Sequence, residues 1–259
     1  MNTHCFVWEN KFYEAIRYNS NINEKERGNI TMFQKKREQR FNIKDLLEKK
    51  EERSKFNRQQ IKAMKEAFYA GLPILFIKKY CNSMFSKRQL QEIFYGYWLT
   101  DEQRNHYATT LYSGRQMEEI RLGYEHHLKA AQVSVFADSR YNARQMEQLR
   151  LALEYDYTSE QLSLIRDHKM HWMQMLIIRK GIEDGMSMPY LQLFARKDMN
   201  WIQMWQISQA IREGIPYTMI TDFSEPNCKW YSMYIYRIHY AHCILSKDIP
   251  IFLTKIMND

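Results

Sequence analysis

The chain has 259 residues, of which 45% are hydrophobic, and a formal net charge of +8. Its 8 glycines and 5 prolines are few for this length, which favours helices over β-turns. No apolar run reaches the roughly 20 residues of a membrane-spanning helix, so no contact with a membrane is expected. The positive charge excludes a mimic of DNA and fits a protein that approaches RNA, DNA or an acidic protein surface.

The first residues (MNTHCFVWENKFY) lack a basic segment followed by an apolar one, so no secretion signal is expected. The four cysteines share no framework spacing, which is typical of reduced thiols. Both observations predict a cytoplasmic protein. The cysteines are Cys5, Cys81, Cys228 and Cys243.

Residues 1–55 are predicted to form an N-terminal helical cap or arm that becomes basic toward its end. Residues 8–18 are compatible with one helix, and residues 18–31 are polar and predict a loop. Phe41 and Asn42 have the pattern of a hydrophobic staple and a cap, which predicts a charged helix to about Arg53. Residues 34–58 hold ten Lys or Arg against five Asp or Glu, so much of the positive charge lies here.

A repeat of about 29 residues organises residues 56–259. Six segments carry a glutamine at the same place, and these glutamines are 29, 27, 29, 29 and 29 residues apart. Such periods are typical of stacked helical architectures, which usually bind other molecules rather than catalyse reactions. A seventh, degenerate copy has Ser232 and Met233 where Gln and Met stand elsewhere. The repeated glutamines are Gln60, Gln89, Gln116, Gln145, Gln174 and Gln203.

Each glutamine marks the start of a predicted helix. Three residues earlier stands Asn, Ser or, once, His, and Ser86 with Gln89 forms a complete capping box. The glutamines are therefore interpreted as capping residues.

Apolar residues one, four and eight positions after each glutamine line one face of the helix, and a Gly or Ala seven positions after it lets a neighbouring helix approach. A shorter helix follows, with its own caps at Thr100 and Thr158, so each repeat is predicted to be a helical hairpin.

The sequence therefore predicts an all-α protein. The expected architecture is an α-solenoid of about seven αα-hairpin repeats over residues 56–259, preceded by the N-terminal cap or arm. Residues 244–259 are expected to form a closing helix.

Stacked repeats place equivalent residues in rows, and the first row of interest lies one residue before each glutamine. It holds Arg88, Arg115 and Arg144. The first turn of a helix disfavours a cation, and pairing with a Glu four residues later accounts for the first two arginines but not for Arg144, which faces Gln148. Two interpretations stay open, a solvated face and a row that contacts anions.

A second row lies five residues after the glutamine, beside the core-facing side of the helix. Its side chains either pack their stems and extend their charged ends to solvent, or form a stripe that follows phosphates. Binding through such a stripe would weaken steeply with salt. The row holds Lys65, Arg121, Arg150, Arg179 and Arg237.

A third row, two residues before the glutamine, changes from basic to aromatic along the chain. It ends in Trp172, Trp201 and Trp230. Three roles remain open for these tryptophans: sealing the seam between repeats, anchoring a protein partner, or stacking on nucleic-acid bases. The earlier members of the row are Arg58, Lys87, Gly114 and Ala143.

No catalytic constellation is recognisable. The sequence has no glycine-rich phosphate loop, no nucleophile elbow and no HExxH motif. His168 with His171, and His239 with His242 and Cys243, have helical spacing but lack a convincing set of further ligands. Neither a metal nor a cofactor is therefore predicted, and the chain is expected not to be an enzyme.

Three segments carry a resemblance to a known kind of repeat: Gln116-MEEIRLGYE, Gln145-MEQLRLALE and Gln174-MLIIRKGIEDG. They resemble a Gln-Met-x-x-Ile-Arg-x-Gly-Leu-Glu-x-Gly repeat of proteins from phages and integrative elements of Gram-positive gut bacteria. The resemblance covers about residues 56–243 and departs at Phe94 and Ser208, where arginine is absent. It implies an accessory protein of a mobile element, acting in the cytoplasm of a bacterial host. Such elements carry inhibitors of host defence, including anti-CRISPR proteins.

The predicted function is that of a non-catalytic binding protein whose partner is a protein or a protein–nucleic-acid complex. The specific hypothesis is an inhibitor of a host defence nucleoprotein effector, such as a CRISPR effector. One alternative is direct binding of RNA or single-stranded DNA through the arginine rows and the tryptophans. The other is a general scaffold for protein–protein interactions.

Overall fold

The computed structural model describes residues 42–47 and 49–246. These residues form helices joined by short turns and contain no strand, which confirms the all-α prediction. The predicted helix over residues 8–18, the loop over 18–31 and the closing helix beyond residue 246 lie outside the described residues. None of the helices in the described ranges combines the length and the apolar character that crossing a membrane requires.

The chain divides into two compact units, residues 1–139 and 140–259. The helices of the first unit are α1 (Ile43–Leu46), α2 (Lys50–Ser54), α3 (Arg58–Tyr69), α4 (Ile74–Tyr80), α5 (Lys87–Tyr95), α6 (Asp101–Tyr107), α7 (Gly114–Glu125) and α8 (Ala130–Phe136). Those of the second unit are α9 (Ala143–Glu154), α10 (Ser159–Ser163), α11 (Trp172–Glu183), α12 (Met188–Phe194), α13 (Trp201–Arg212), α14 (Tyr217–Thr221) and α15 (Trp230–Ser246).

From α3 onward, longer and shorter helices alternate in the order that a series of helical hairpins requires. In the first unit α3 packs on α5 and α5 on α7, and in the second unit α9, α11, α13 and α15 pack in sequence. The solenoid of seven repeats, and its boundary at residue 56, stay predictions.

The charged helix expected from Asn42 to about Arg53 is wrong as a single helix. Asn42 does cap α1, because its side-chain oxygen accepts from the amide of Lys44 at 3.0 Å. The backbone then becomes extended at Leu47, and α2 begins only at Lys50. Leu46, the last residue of α1, and Leu47, which ends it, are both buried. The charged segment therefore forms two short helices on either side of an extended residue that packs into the core.

The repeated glutamines are confirmed as capping residues. In each of the six repeats the glutamine oxygen accepts from the amide of the cap residue, at 2.6–2.8 Å. The side-chain nitrogen has a second use that the sequence did not reveal. In Gln145 it donates to the carbonyls of His168 and Met170, at 2.9 and 2.6 Å, just before the next long helix. One side chain therefore starts its own helix and fixes the approach to the next.

The long helices end in a shared way in five of the repeats, with a left-handed residue eleven positions after the glutamine. The following amide then donates back to the small residue seven after the glutamine, as Leu128 does to Gly123 at 3.0 Å. A side chain at Gly123 would stand 2.8 Å from the ring of Phe136 on α8. The small residue therefore admits the aromatic side chain of the second helix. The left-handed residues are Gly71, His127, Asp156, Gly185 and Gly214.

The one spacing of 27 residues corresponds to a different helix end. After α5 a 3-10 turn covers Gly96–Trp98, and Thr100 caps α6 without a left-handed residue between them. Arg104 is buried there and donates to the carbonyls of Gly96 and Tyr97, at 3.1 and 2.8 Å. The guanidinium thus satisfies carbonyls that the shorter connection leaves at the end of α5.

Candidate functional site

The arginine row five residues after the glutamines is buried and ion-paired. Each arginine pairs with a carboxylate within its own unit. The pairs are Arg121 with Glu125, Arg150 with Glu154, Arg179 with Glu183 and Arg237 with Glu213. These contacts favour the structural interpretation of the row over a stripe that follows phosphates.

The same arginines also join neighbouring long helices. Arg179 donates through Nε to the side-chain oxygen of Gln148, at 2.8 Å, and Arg237 does the same to Gln206, at 3.0 Å. In both cases the acceptor stands three residues after the glutamine of the preceding repeat. A buried guanidinium bound on both sides fixes the register of the two helices, because a shift would leave its donors unpaired.

In the first unit the acceptor at this position is a carboxylate, Glu92, which is fully buried. It lies 3.1 Å from Nε of Arg121 and 2.8 Å from Nε of Arg88. Burial raises the pKa of Glu92 above its ordinary value, although the two arginines oppose that shift. Burial also disfavours the charge on Arg121, but Glu125 and Glu92 outweigh it, and its pKa is raised. The arginine is therefore charged at every physiological pH.

The arginines that precede the glutamines occupy three different environments. Arg88 also pairs with Glu118 on α7, at 2.7 Å. The guanidinium of Arg144 lies 4.5 Å from the centre of the Trp172 ring, a cation–π contact. Arg115 is exposed. The three arginines therefore share no common arrangement that would recognise an anion.

Two of the three predicted tryptophans, Trp201 and Trp230, line one groove in the second unit. Trp172 does not line it. The groove has a volume of about 770 Å³, within the usual range for binding sites. Helix α11 contributes Met173, Leu176 and Ile177, α13 contributes Trp201, Ile202 and Trp205, and α15 contributes Trp230.

The tryptophans of the groove are partly open to solvent. Trp201, Trp205 and Trp230 expose 39, 41 and 45% of their surface. A single exposed hydrophobic residue is ordinary, but three large aromatic side chains around one concavity make the groove the candidate site of this unit. Arg237 lies 5.8 Å from the centre of the Trp205 ring, so the buried arginine row supports one wall of the groove from below the surface.

The rim of the groove is polar, and its charged side chains form ion pairs. Arg212 binds Asp184 through Nε and a terminal nitrogen, at 2.7 and 2.6 Å, and also contacts the hydroxyl of Ser208 at 3.0 Å. Lys180 pairs with Glu183 at 2.7 Å. An apolar centre with a polar rim is the arrangement found in protein–protein interfaces.

Trp205 lies outside the three rows named above, in a fourth row two residues after the glutamine. That row changes from polar to apolar at the same repeat as the tryptophan row. Reading both rows together would have indicated the groove. The members are Lys62, Gln91, Glu118, Glu147, Leu176, Trp205 and Tyr234.

The histidine and cysteine pairs do not assemble into a metal centre in the described part of the chain. No group of three or more His, Cys, Asp or Glu side chains there is arranged to hold an ion. His239 and Cys243 lie close together, with Nε2 3.2 Å from Sγ. His171 instead caps α11 by accepting from the amide of Met173.

Comparison of the chain with protein-family models, with curated proteins and with solved structures found no match.

Proposed function

We propose that the chain is a non-catalytic binding protein of the α-solenoid type, which captures a protein partner in the tryptophan-lined groove. The observation that carries the proposal is the partial exposure of Trp201, Trp205 and Trp230 around one apolar concavity. Tryptophan dominates the energetic centres of protein interfaces, because its large surface gains most when water is excluded. A partner that inserts apolar side chains between these rings would complete their burial.

The charges around the groove favour a protein over a nucleic acid. Proteins that stack bases on aromatic rings usually place a positive surface beside them to follow the phosphates. Here Arg212 is paired with Asp184, and Lys180 shares Glu183 with the buried Arg179, so the rim offers one excess positive charge rather than a positive surface that follows phosphates. The buried arginines have their donors occupied by protein groups.

The resemblance of the repeats to those of phages and integrative elements supplies the first partner to test. We propose a nucleoprotein effector of host defence, such as a CRISPR effector, which the chain inhibits by occupying a nucleic-acid channel or a surface that must move. A general scaffolding role is the broader form of the same proposal.

Direct binding of RNA or single-stranded DNA is the second candidate. Its support is the net charge of +8 together with the guanidinium of Arg144 on the Trp172 ring. A gel shift of the purified chain with RNA and with single-stranded DNA separates it from the first proposal. Tight binding without any protein, weakening steeply as salt rises, would favour this candidate.

The main test is affinity capture from a bacterial lysate with the whole chain, identifying the protein and the nucleic acid that co-purify. Trp205→Ala should reduce affinity for the captured protein by about 30-fold or more, as truncation of a central tryptophan usually does. Tyr155→Ala is the matched control, because Tyr155 is an exposed aromatic residue of the same unit that does not line the groove. Equal capture by both variants would rule out the groove as the binding site.

A further inference from the structure

Helix α15 exposes a side chain at a position that is buried in five of the other six long helices, Glu119 of α7 being the partly exposed exception. Three residues after the glutamine, the long helices of both units turn a side chain toward the next long helix. The exposed fractions there are 0% for Glu92, 3% for Gln148, 6% for Ile177 and 3% for Gln206. The equivalent residue of α15 is Ile235, which is 62% exposed. Among the described residues, no long helix follows α15 to cover this face.

Ile235 is part of a continuous apolar stripe. Tyr231, Tyr234, Ile235 and Ile238 are spaced as positions i, i+3, i+4 and i+7, and each exposes 45% or more of its surface. This spacing places the four side chains along one side of a helix, as in a seam between two helices. The stripe has the pattern of a buried helix–helix contact but lies open.

The stripe carries no Lys, Arg, Asp or Glu. From Trp230 to Ser246 the only such residue is Arg237, which is buried and bound to Gln206 and Glu213 of the second unit. Residues 140–259 hold 14 Lys or Arg against 13 Asp or Glu, so the unit that carries the stripe has a net charge of only +1 and does not repel a second copy of itself strongly. On this face two copies can meet without opposing like charges.

The register of the buried arginines indicates how two copies would meet. Where a buried arginine donates to a side chain of the preceding repeat, that side chain is a Glu or a Gln three residues after the glutamine. Ile235 offers no acceptor. A head-to-tail contact would bring Lys65, the corresponding residue of the first repeat, against Ile235 and bury an ammonium group without a partner. A symmetric contact places isoleucine and tyrosine side chains on both sides.

We propose that the stripe formed by Tyr231, Tyr234, Ile235 and Ile238 is the interface of a symmetric homodimer. Four large side chains that expose about half of their surface contribute roughly 400 Å² per copy. That area is about half of what a standard interface buries on each partner. It forms the apolar centre of such an interface, with the flanking surface of α15 as its rim.

The test is the molar mass of the whole chain in solution, measured by light scattering after gel filtration across the micromolar range. The wild type should have twice the mass of the 31.6 kDa chain, and Ile235→Glu should shift the population to monomer. Leu75→Glu is the matched control and should remain dimeric, because Leu75 is exposed in the first unit. Circular dichroism of Ile235→Glu checks that the helices are intact, as expected for an exposed site.

A monomeric wild type at every concentration would overturn the proposal, whether residues 247–259 or a different protein covers the stripe. A dimer that survives Ile235→Glu and Ile238→Glu together would also overturn it. Neither residue lines the tryptophan groove. Capture of a partner through the groove is therefore tested separately by Trp205→Ala, and one proposal can fail without the other.

Discussion

The long helices of the first unit and the last three long helices of the second unit are built on the same repeat but present different surfaces. Two residues after the glutamine, the first unit has Lys62 and Glu118, whereas the second has Trp205 and Tyr234. The capping box is present in every long helix of the first unit and in α11 and α13 of the second, whereas α15 has Ser232 in place of the glutamine. The comparison shows that the repeat specifies the arrangement of helices, while the exposed rows are free to become ionic or aromatic.

The buried positions differ in a subtler way. Arg121 of the first unit is bound by the carboxylate of Glu92, and Arg179 of the second unit by the neutral amide of Gln148. Both arrangements satisfy the guanidinium, but only the first buries a second charge. The two units therefore form a natural pair in which to measure what the additional buried charge does.

Removing the arginine from each unit should have the largest effect. Arg121→Ala leaves Glu92 buried beside Arg88 alone and should lower the free energy of unfolding by about 3 to 5 kcal/mol. Arg179→Ala leaves a neutral amide in the core and should lower it by about 1 to 3 kcal/mol. Urea unfolding followed by circular dichroism measures both. Equal losses would show that the charge of the acceptor is unimportant.

Removing a glutamine should have an intermediate effect that depends on how deeply it is held. Gln145 is buried and bonds to two carbonyls at 2.6–2.9 Å, so Gln145→Ala should lower the free energy of unfolding by about 2 to 3 kcal/mol. Gln116 is more exposed and lies 3.3 Å from the Ser139 carbonyl, so Gln116→Ala should lower it by about 1 kcal/mol. Thermal unfolding of the two variants shows which loses more stability. A larger loss for Gln116→Ala than for Gln145→Ala would contradict the link between burial of the glutamine and its contribution to stability.

Replacing Glu92 by glutamine, as at Gln148, should have the smallest effect and a distinctive pH dependence. Because burial raises the pKa of Glu92, the folded chain holds that proton more tightly than the unfolded chain. Ionisation therefore costs stability as pH rises from the ordinary value of 4.5 through the raised folded value. Glu92→Gln removes this loss and should match or exceed the wild type at neutral pH by about 1 kcal/mol.

Free energies of unfolding, measured from pH 4.5 upward, test whether ionisation of Glu92 destabilises the folded chain. The difference between Glu92→Gln and the wild type should grow in favour of the variant as pH rises. Glu102→Gln, at an exposed carboxylate, is the matched control for the loss of one surface charge. A wild type that gains stability on the variant as pH rises would mean that the arginines outweigh burial.

The sequence predicted the starts of the helices well, because a capping box is a local pattern over four residues. It predicted the arginine rows less well, because their acceptors stand 29 or 31 residues upstream. The sequence of this single chain nevertheless contains a pattern that predicts these buried contacts. Where the arginine is replaced by Phe94 or Ser208, the acceptor position holds Ala63 or Ile177 instead of Glu or Gln. Comparing pairs of rows, rather than each row by itself, would have found the buried contacts.

The helix expected to run from Asn42 to about Arg53 failed for a related reason. Periodicity, caps and charge predict where a helix begins, but the segment from Asn42 to Arg53 has no glycine or proline that would mark the extended residue at Leu47. The groove likewise depends on three helices at once, so no single row contains it.

The double use of the repeated glutamine has a consequence for how such a chain changes during evolution. Each glutamine bonds to its own cap residue and to backbone carbonyls 23 or 25 residues onward, groups that every repeat supplies whatever its side chains are. A duplication or loss of one 29-residue unit therefore leaves these bonds intact at the new junction. Array length and surface chemistry can be inherited as separate traits, and a new partner can be acquired by recombining whole repeats.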